Sequence, residues 1–128
     1  MNFIFSFISI IVGSIIFHYL GAPWWCIALA SGLAAFQFKL SPLYSFICGF
    51  VAIFCLWLAH AMFLNNANEG QLLKSISEVM SLSSNTIWIL MLSIGSLIGG
   101  LAALSGSLFR LAFLGDPNTK YKRRKSRH

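Results

Sequence analysis

Four apolar stretches, Phe3 to Leu20, Pro23 to Phe38, Leu43 to Leu64 and Ile87 to Leu108, fill most of the chain, and no Asp or Glu falls inside any of them. At a helical rise of about 1.5 Å per residue they reach about 27, 24, 33 and 33 Å. A hydrocarbon core of about 30 Å accepts all four, the second only with help from its ends. Backbone N–H and C=O groups find no water in lipid, so each stretch has to satisfy them internally, as a helix. Strands fit poorly, because the runs are apolar on every face and do not alternate. A chain of 128 residues that is 58% hydrophobic cannot hide that surface in a water-facing fold, since small domains have proportionally more surface. Only 9% of the residues are charged, against about a quarter in soluble domains. The predicted fold is all-α: a polytopic membrane protein with four transmembrane helices in residues 1–115, followed by a basic tail over 116–128. The first stretch has no preceding Lys or Arg and no small-residue cleavage pattern after it, so it reads as a retained span.

The breaks between the runs have their own chemistry. Gly21 suits the left-handed residue that ends a helix, and Pro23 suits the first position of the next. Spans one and two then form a tight antiparallel hairpin. Ser41-Pro42 opens the third span in the same manner, and Ser84 or Asn85 can cap the fourth. Between spans three and four, Leu72, Leu73, Ile76, Val79 and Met80 fall at helical spacing, with Gln71, Lys74, Ser75 and Glu78 elsewhere around the wheel. This predicts a short amphipathic surface helix over about residues 69–81.

Basic residues set the expected orientation. With four spans, Lys39, Arg110 and the tail residues Lys120, Lys122, Arg123, Arg124, Lys125 and Arg127 share one side, and only Lys74 lies on the other. The positive-inside rule then puts both termini in the cytoplasm. The net charge of +6 is thus concentrated in a tail. That tail reads as a topology anchor attracted to anionic lipid, and Arg110 as a residue that snorkels to the headgroups. No folded scaffold or aromatic interleaving accompanies these charges, so specific nucleic-acid binding is not expected. Tyr19, Trp24, Trp25, Trp57, Phe63 and Trp88 would mark the outer interface, and Phe38, Tyr44, Phe109 and Phe113 the inner one.

Small residues recur on the spans at helical steps. Gly95, Gly99, Ala102 and Gly106 form a stripe on the fourth, Ala28, Gly32 and Ala35 one on the second, and Ser45, Gly49, Ala52 and Ala59 one on the third. Such faces let backbones approach until dispersion forces hold helices together in lipid. They serve either an intramolecular core or a partner helix. GLAA occurs at Gly32 to Ala35 and again at Gly100 to Ala103, a faint mark of a duplicated helical hairpin.

Ligand-type side chains gather in one place. His18, near the end of span one, and His60, near the end of span three, are expected at similar depth close to the outer surface, with Cys26 within about one turn. Imidazole suits zinc, copper or haem iron, and thiolate zinc or copper. Without a local spacing motif, the favoured role of the histidines is interfacial anchoring or a helix-to-helix hydrogen bond, and no cofactor is expected. Cys26, Cys48 and Cys55 form no CxxC pair and sit in apolar runs, as small core hydrophobes do. There is no phosphate-binding loop, HExxH, paired carboxylate or GxSxG, so enzymatic chemistry is not expected.

The strings PWW at Pro23 to Trp25, FICGFVAIFCLWL at Phe46 to Leu58, ANEGQLL at Ala67 to Leu73 and IGGLAALSGSL at Ile98 to Leu108 resemble a group of uncharacterised small four-helix bacterial membrane proteins. The resemblance implies the bacterial inner membrane and supplies no activity or site residue. The expected function is a non-enzymatic integral membrane subunit or assembly partner, packing against another membrane protein or itself. The alternatives are a small oligomeric channel or transporter and, after that, a haem or metal protein built on His18 and His60.

Overall fold

The computed structural model describes residues 1–115 and is all-helical over them. The helices are α1 (Asn2–Tyr19), α2 (Cys26–Gln37), α3 (Pro42–Ala67), α4 (Gln71–Met80) and α5 (Ser84–Leu114). Three of them, α1, α3 and α5, with 18, 26 and 31 residues, are long and apolar enough to cross a membrane. The second predicted span is shorter than expected. Its helix has 12 residues, about 18 Å, and starts at Cys26 rather than Pro23. Gly21 does take a positive φ of 69°, but Pro23 opens a turn. The Cys26 N–H donates to the Pro23 carbonyl at 2.9 Å and the Ala28 N–H to the Trp25 carbonyl at 3.0 Å. These bonds span three residues, the tighter 3₁₀ pattern, before the α-helix takes over.

The other boundaries shift by smaller amounts. Pro42 does stand at the start of α3, where its missing N–H costs nothing. The surface helix is α4. Glu69 and Gly70, both at positive φ, separate it from α3. The cap of α5 is Ser83, one residue before the expected positions, and its hydroxyl accepts from the Thr86 N–H at 3.3 Å. At its far end α5 runs on past Leu108 to Leu114, because arginine at 110 is a good helix former and apolar residues follow it.

The long helices pack side by side with α2. Helix α1 touches α2 and α3, α5 touches α3 and α2, and α1 and α5 lie on a diagonal without contact. Direction follows from matched positions. Gly32 meets Gly106 while Gln37 meets Arg110, so α2 and α5 are parallel. Phe46 meets Gly100 while Trp57 meets Gly95, so α3 and α5 are antiparallel. This order does not carry the duplication that the GLAA strings hinted at. A two-fold axis along the bundle would set α1 and α3 on a diagonal, whereas they are neighbours.

The small-residue faces are where backbones come closest. A Cβ at Gly49 would lie 2.5 Å from the Gly99 carbonyl oxygen and 2.6 Å from Ala103 Cβ. One at Gly99 would overlap Ile53, and one at Gly106 would overlap the Gly32 backbone. Gly32 in turn faces the Ala102 carbonyl. Helix α5 therefore carries two adjacent faces. Gly95, Gly99 and Ala103 serve α3, while Ala102 and Gly106 serve α2.

The core inverts the usual arrangement. Its largest fully buried side chains are Ile10, Ile53, Cys48 and the serines Ser6, Ser31, Ser45, Ser96 and Ser107. The large apolar side chains point outward: Phe63, Phe109, Phe113, Leu33 and Ile89 are all more than half exposed. Soluble monomers do not leave so much contiguous apolar surface open. With three helices of spanning length, the chain is built as a membrane protein.

Arg110 adds a tie between elements. Its Nη1 donates to the Phe36 and Gln37 carbonyls, each at 3.2 Å. Those carbonyls end α2 and have no partner within it, and a cation there also opposes the negative end of the helix dipole. The residue read as a lipid anchor thus caps a neighbouring helix. The remaining expected anchors, Lys120, Lys122, Arg123, Arg124, Lys125 and Arg127, lie outside the described residues.

Gly106→Ala is expected to lower the thermal midpoint in detergent, by an overpacking cost of about 1–3 kcal/mol. Gly13→Ala, whose Cβ would meet Ala30 Cβ at an ordinary 3.4 Å, is expected to leave the midpoint unchanged or raise it. Equal losses from both would show that α2 and α5 are not in backbone contact.

Candidate functional site

Because α1 and α3 are parallel neighbours, their C-terminal halves finish at the same end of the bundle. His18 stands in the last turn of α1, and His60 lies about two turns before the end of α3. Their rings meet edge to face, with centroids 5.1 Å apart and planes at 73°. Both side chains are exposed at the rim of a cavity of about 790 Å³. That is within the range of about 300–1,000 Å³ typical of small-molecule sites.

The cavity is built by several elements. Helix α1 contributes Ser14 one turn below His18, and α3 contributes Leu56, Trp57 and Ala61 around His60. Trp24 enters from the turn before α2, Ile27 from α2 itself, and Met91 from α5. The wall formed by Trp57 depends on a glycine. A Cβ at Gly95 would sit 2.8 Å from Trp57 Cδ2, so the absent side chain at 95 is the space the indole occupies. The packing stripe of α5 and the cavity are therefore one piece of construction: Gly95 seats the wall, and Met91, one turn away, closes beside it.

The chemistry of the lining is sparse. Among the described residues no Lys, Arg, Asp or Glu lines the cavity, and the polar residues in its lining are Ser14, His18, Tyr19, Trp24, Trp57 and His60. Ser14 is 2% exposed, and its Oγ has no hydrogen-bond partner among the described residues. Ser6, Ser31 and Ser45 share that condition elsewhere in the core. Ser96 and Ser107, by contrast, donate back to the Leu92 and Leu104 carbonyls of their own helix.

The structure brings His18 and His60 together but does not bring Cys26 into their group. Cys26 opens α2 as a buried residue outside the cavity lining. Among the described residues no three His, Cys, Asp or Glu side chains are placed to hold a metal ion. The histidine pair supplies two nitrogen donors, fewer than the three or four protein ligands of a usual zinc site. Its edge-to-face contact leaves no slot between the rings for a macrocycle. The pair is suited to hydrogen bonding at the rim of the cavity. Ser14, Trp57 and Met91 escaped the sequence reading as site residues. One signal for Ser14 was present: Ser6, Ser14 and His18 recur at multiples of four along an otherwise apolar helix.

Comparison with family models, with curated proteins and with solved structures finds no match to this chain. The inner-membrane placement implied by the resemblance therefore rests on the residues alone.

The purified protein is expected to show no Soret band and no stoichiometric metal. Replacing His18 and His60 together by Gln is expected to cost about 1 kcal/mol or less, the scale of a polar contact between membrane helices. A haem spectrum or one tightly held metal per chain, lost in that double variant, would make the pair a ligand set instead.

Proposed function

We propose that this chain is a non-enzymatic integral subunit or assembly partner of a bacterial inner-membrane complex, crossing four times with both termini in the cytoplasm. The single observation behind the subunit reading is how the polar and small groups are used. The glycine faces are consumed inside the chain, and among the described residues no charged side chain is buried and the buried polar residues are serines. That interior offers packing and hydrogen bonding, without the ionisable groups that catalysis or proton coupling at depth would need.

Placement of α2 supports the fourth crossing despite its length. Trp24 lines the cavity beside His18 at one end of the bundle. At the other end, Phe38 stacks on Phe5 at the start of α1, with centroids 6.5 Å apart. The turn at Pro23–Trp25 and the extended residues after Gln37 complete the path around a short helix, and local thinning of the bilayer takes up the remainder. With eight basic residues on the side of the termini and one opposite, that side is cytoplasmic. The tail there meets anionic lipid.

Since the small-residue faces are occupied, the surface left for a partner is α4. Its apolar residues Leu72, Ile76, Val79 and Met80 are exposed, Val79 at 86%. A pore would have to lie between chains, because Ile10 and Ile53 are fully buried in the bundle. Purification from native membranes in mild detergent is expected to retain a second membrane protein in stoichiometric amount, lost in Val79→Lys. A homo-oligomer that passes ions in liposomes and ignores Val79→Lys would replace this reading with the channel.

A further inference from the structure

His18 and His60 touch across two helices, at a place where the end of α1 has room to move. We propose that the pair is a pH-sensitive latch. While at most one ring carries a proton, it holds the end of α1 against α3. When both rings are protonated, the two helix ends part and the cavity mouth between them widens. The device needs only the packing of α1 beside α3 and stands apart from the subunit reading.

Contact geometry is the first ground. The ring centroids are 5.1 Å apart with planes at 73°, so the edge of one ring meets the face of the other, an arrangement that suits uncharged aromatic rings. Two imidazolium charges at that separation repel. Both side chains are exposed, so protons reach them, and parting moves each charge toward water. Imidazole is also the side chain that changes charge within about pH 5 to 8.

Neighbouring groups leave that repulsion without a local counter-charge. On α1 the titratable neighbour in the lining is Tyr19. The turn before α2 brings Trp24, α3 brings Trp57 and α5 brings Met91, none of them ionisable, while Cys26 of α2 is buried outside the lining. The α3–α4 segment carries Glu69, Lys74 and Glu78 at this end, and none of these lines the cavity. Among the described residues, then, no carboxylate in the lining offsets a second proton.

Freedom of α1 is the second ground. It packs on α2 and α3 and does not touch α5. Its middle is fixed by Ile10, fully buried with Ile53 of α3, whereas its last turns border a cavity of about 790 Å³ that α3 also lines. Just past its end stands Gly21, at φ 69° with nothing near a Cβ position, a joint that can bend without moving α2. On the orientation proposed above this end is the outer one, so the signal read is external acidity.

The test is pulsed electron paramagnetic resonance on the full chain in nanodiscs. Cys26, Cys48 and Cys55 are changed to Ala, and nitroxide labels are placed on Leu20→Cys and Phe63→Cys, exposed positions near the ends of α1 and α3. On going from about pH 8 to about pH 5, the range in which imidazole changes charge, the label distance is expected to shift to longer values and to return when the pH is restored. His18→Gln and His60→Gln are each expected to keep the shorter distance throughout, because repulsion needs both charges. Glu69→Gln combined with Glu78→Gln is expected to leave the shift in place. An unchanged distance in a chain that still melts cooperatively at the acid end would overturn the proposal. A shift that survives in either single histidine variant would also overturn it, since the response would then belong to one imidazole or to another group. Acid unfolding that is equal in the parent and in both histidine variants would count against it in the same way.

Discussion

Backbone contact along α5 is the constraint on which the bundle depends. Lipid gives helices no hydrophobic reason to associate, so they hold by dispersion and by hydrogen bonds at close range. Close range demands that side chains be absent where helices meet. Gly99 and Gly49 meet on one face of α5, and Gly106 and Gly32 on the next. Because two faces are available, α5 holds α3 and α2 at once. Helix α1 is added through those two and never touches α5. The outward display of Phe, Leu and Ile follows directly, since bulky side chains removed from the contacts have to face the surrounding lipid.

The same construction makes the cavity. Gly95 belongs to the series that seats α3, yet what it admits is the Trp57 indole rather than backbone. Space opens between α1, α3 and the turn before α2, and His18, His60 and Ser14 fall around it. The glycines of α5 thus serve both the close helix contacts, at Gly99 and Gly106, and the cavity wall, at Gly95. Arg110 performs the corresponding task at the opposite end, where the short α2 leaves its last carbonyls open.

Much of this fold was legible in the sequence, for reasons that belong to local chemistry. Apolar runs and their Gly, Pro and Ser breaks report helices and turns, as Gly21 and Pro42 did. The amphipathic pattern after Asn68 located α4. Less legible was anything that depends on a neighbour. Pro23 satisfies the rule for a first helical position, but the turn through Trp24 and Trp25 keeps the helix from starting there. Gly95 and Gly106 look alike in a stripe, yet one receives an indole and the other a backbone. The similar depth of His18 and His60 was readable from their places on α1 and α3, while their edge-to-face contact and the separation of Cys26 from them required the packing of the helices. Arg110 read as a snorkelling residue because its sequence neighbours are apolar. Its carbonyl partners lie more than seventy residues away in sequence.

The proposed four-span topology requires that α2, with 12 helical residues, carry the chain across the membrane beside α5. The most direct measurement is side-specific thiol labelling in sealed vesicles. Ala22→Cys and Ser41→Cys are each placed in a chain whose Cys26, Cys48 and Cys55 have been changed to Ala. The account predicts that an impermeant reagent reaches residue 22 only from the periplasmic face and residue 41 only from the cytoplasmic face. Labelling of both residues from the same face would contradict it, leaving α2 as a helix that enters and returns beside the three long spans.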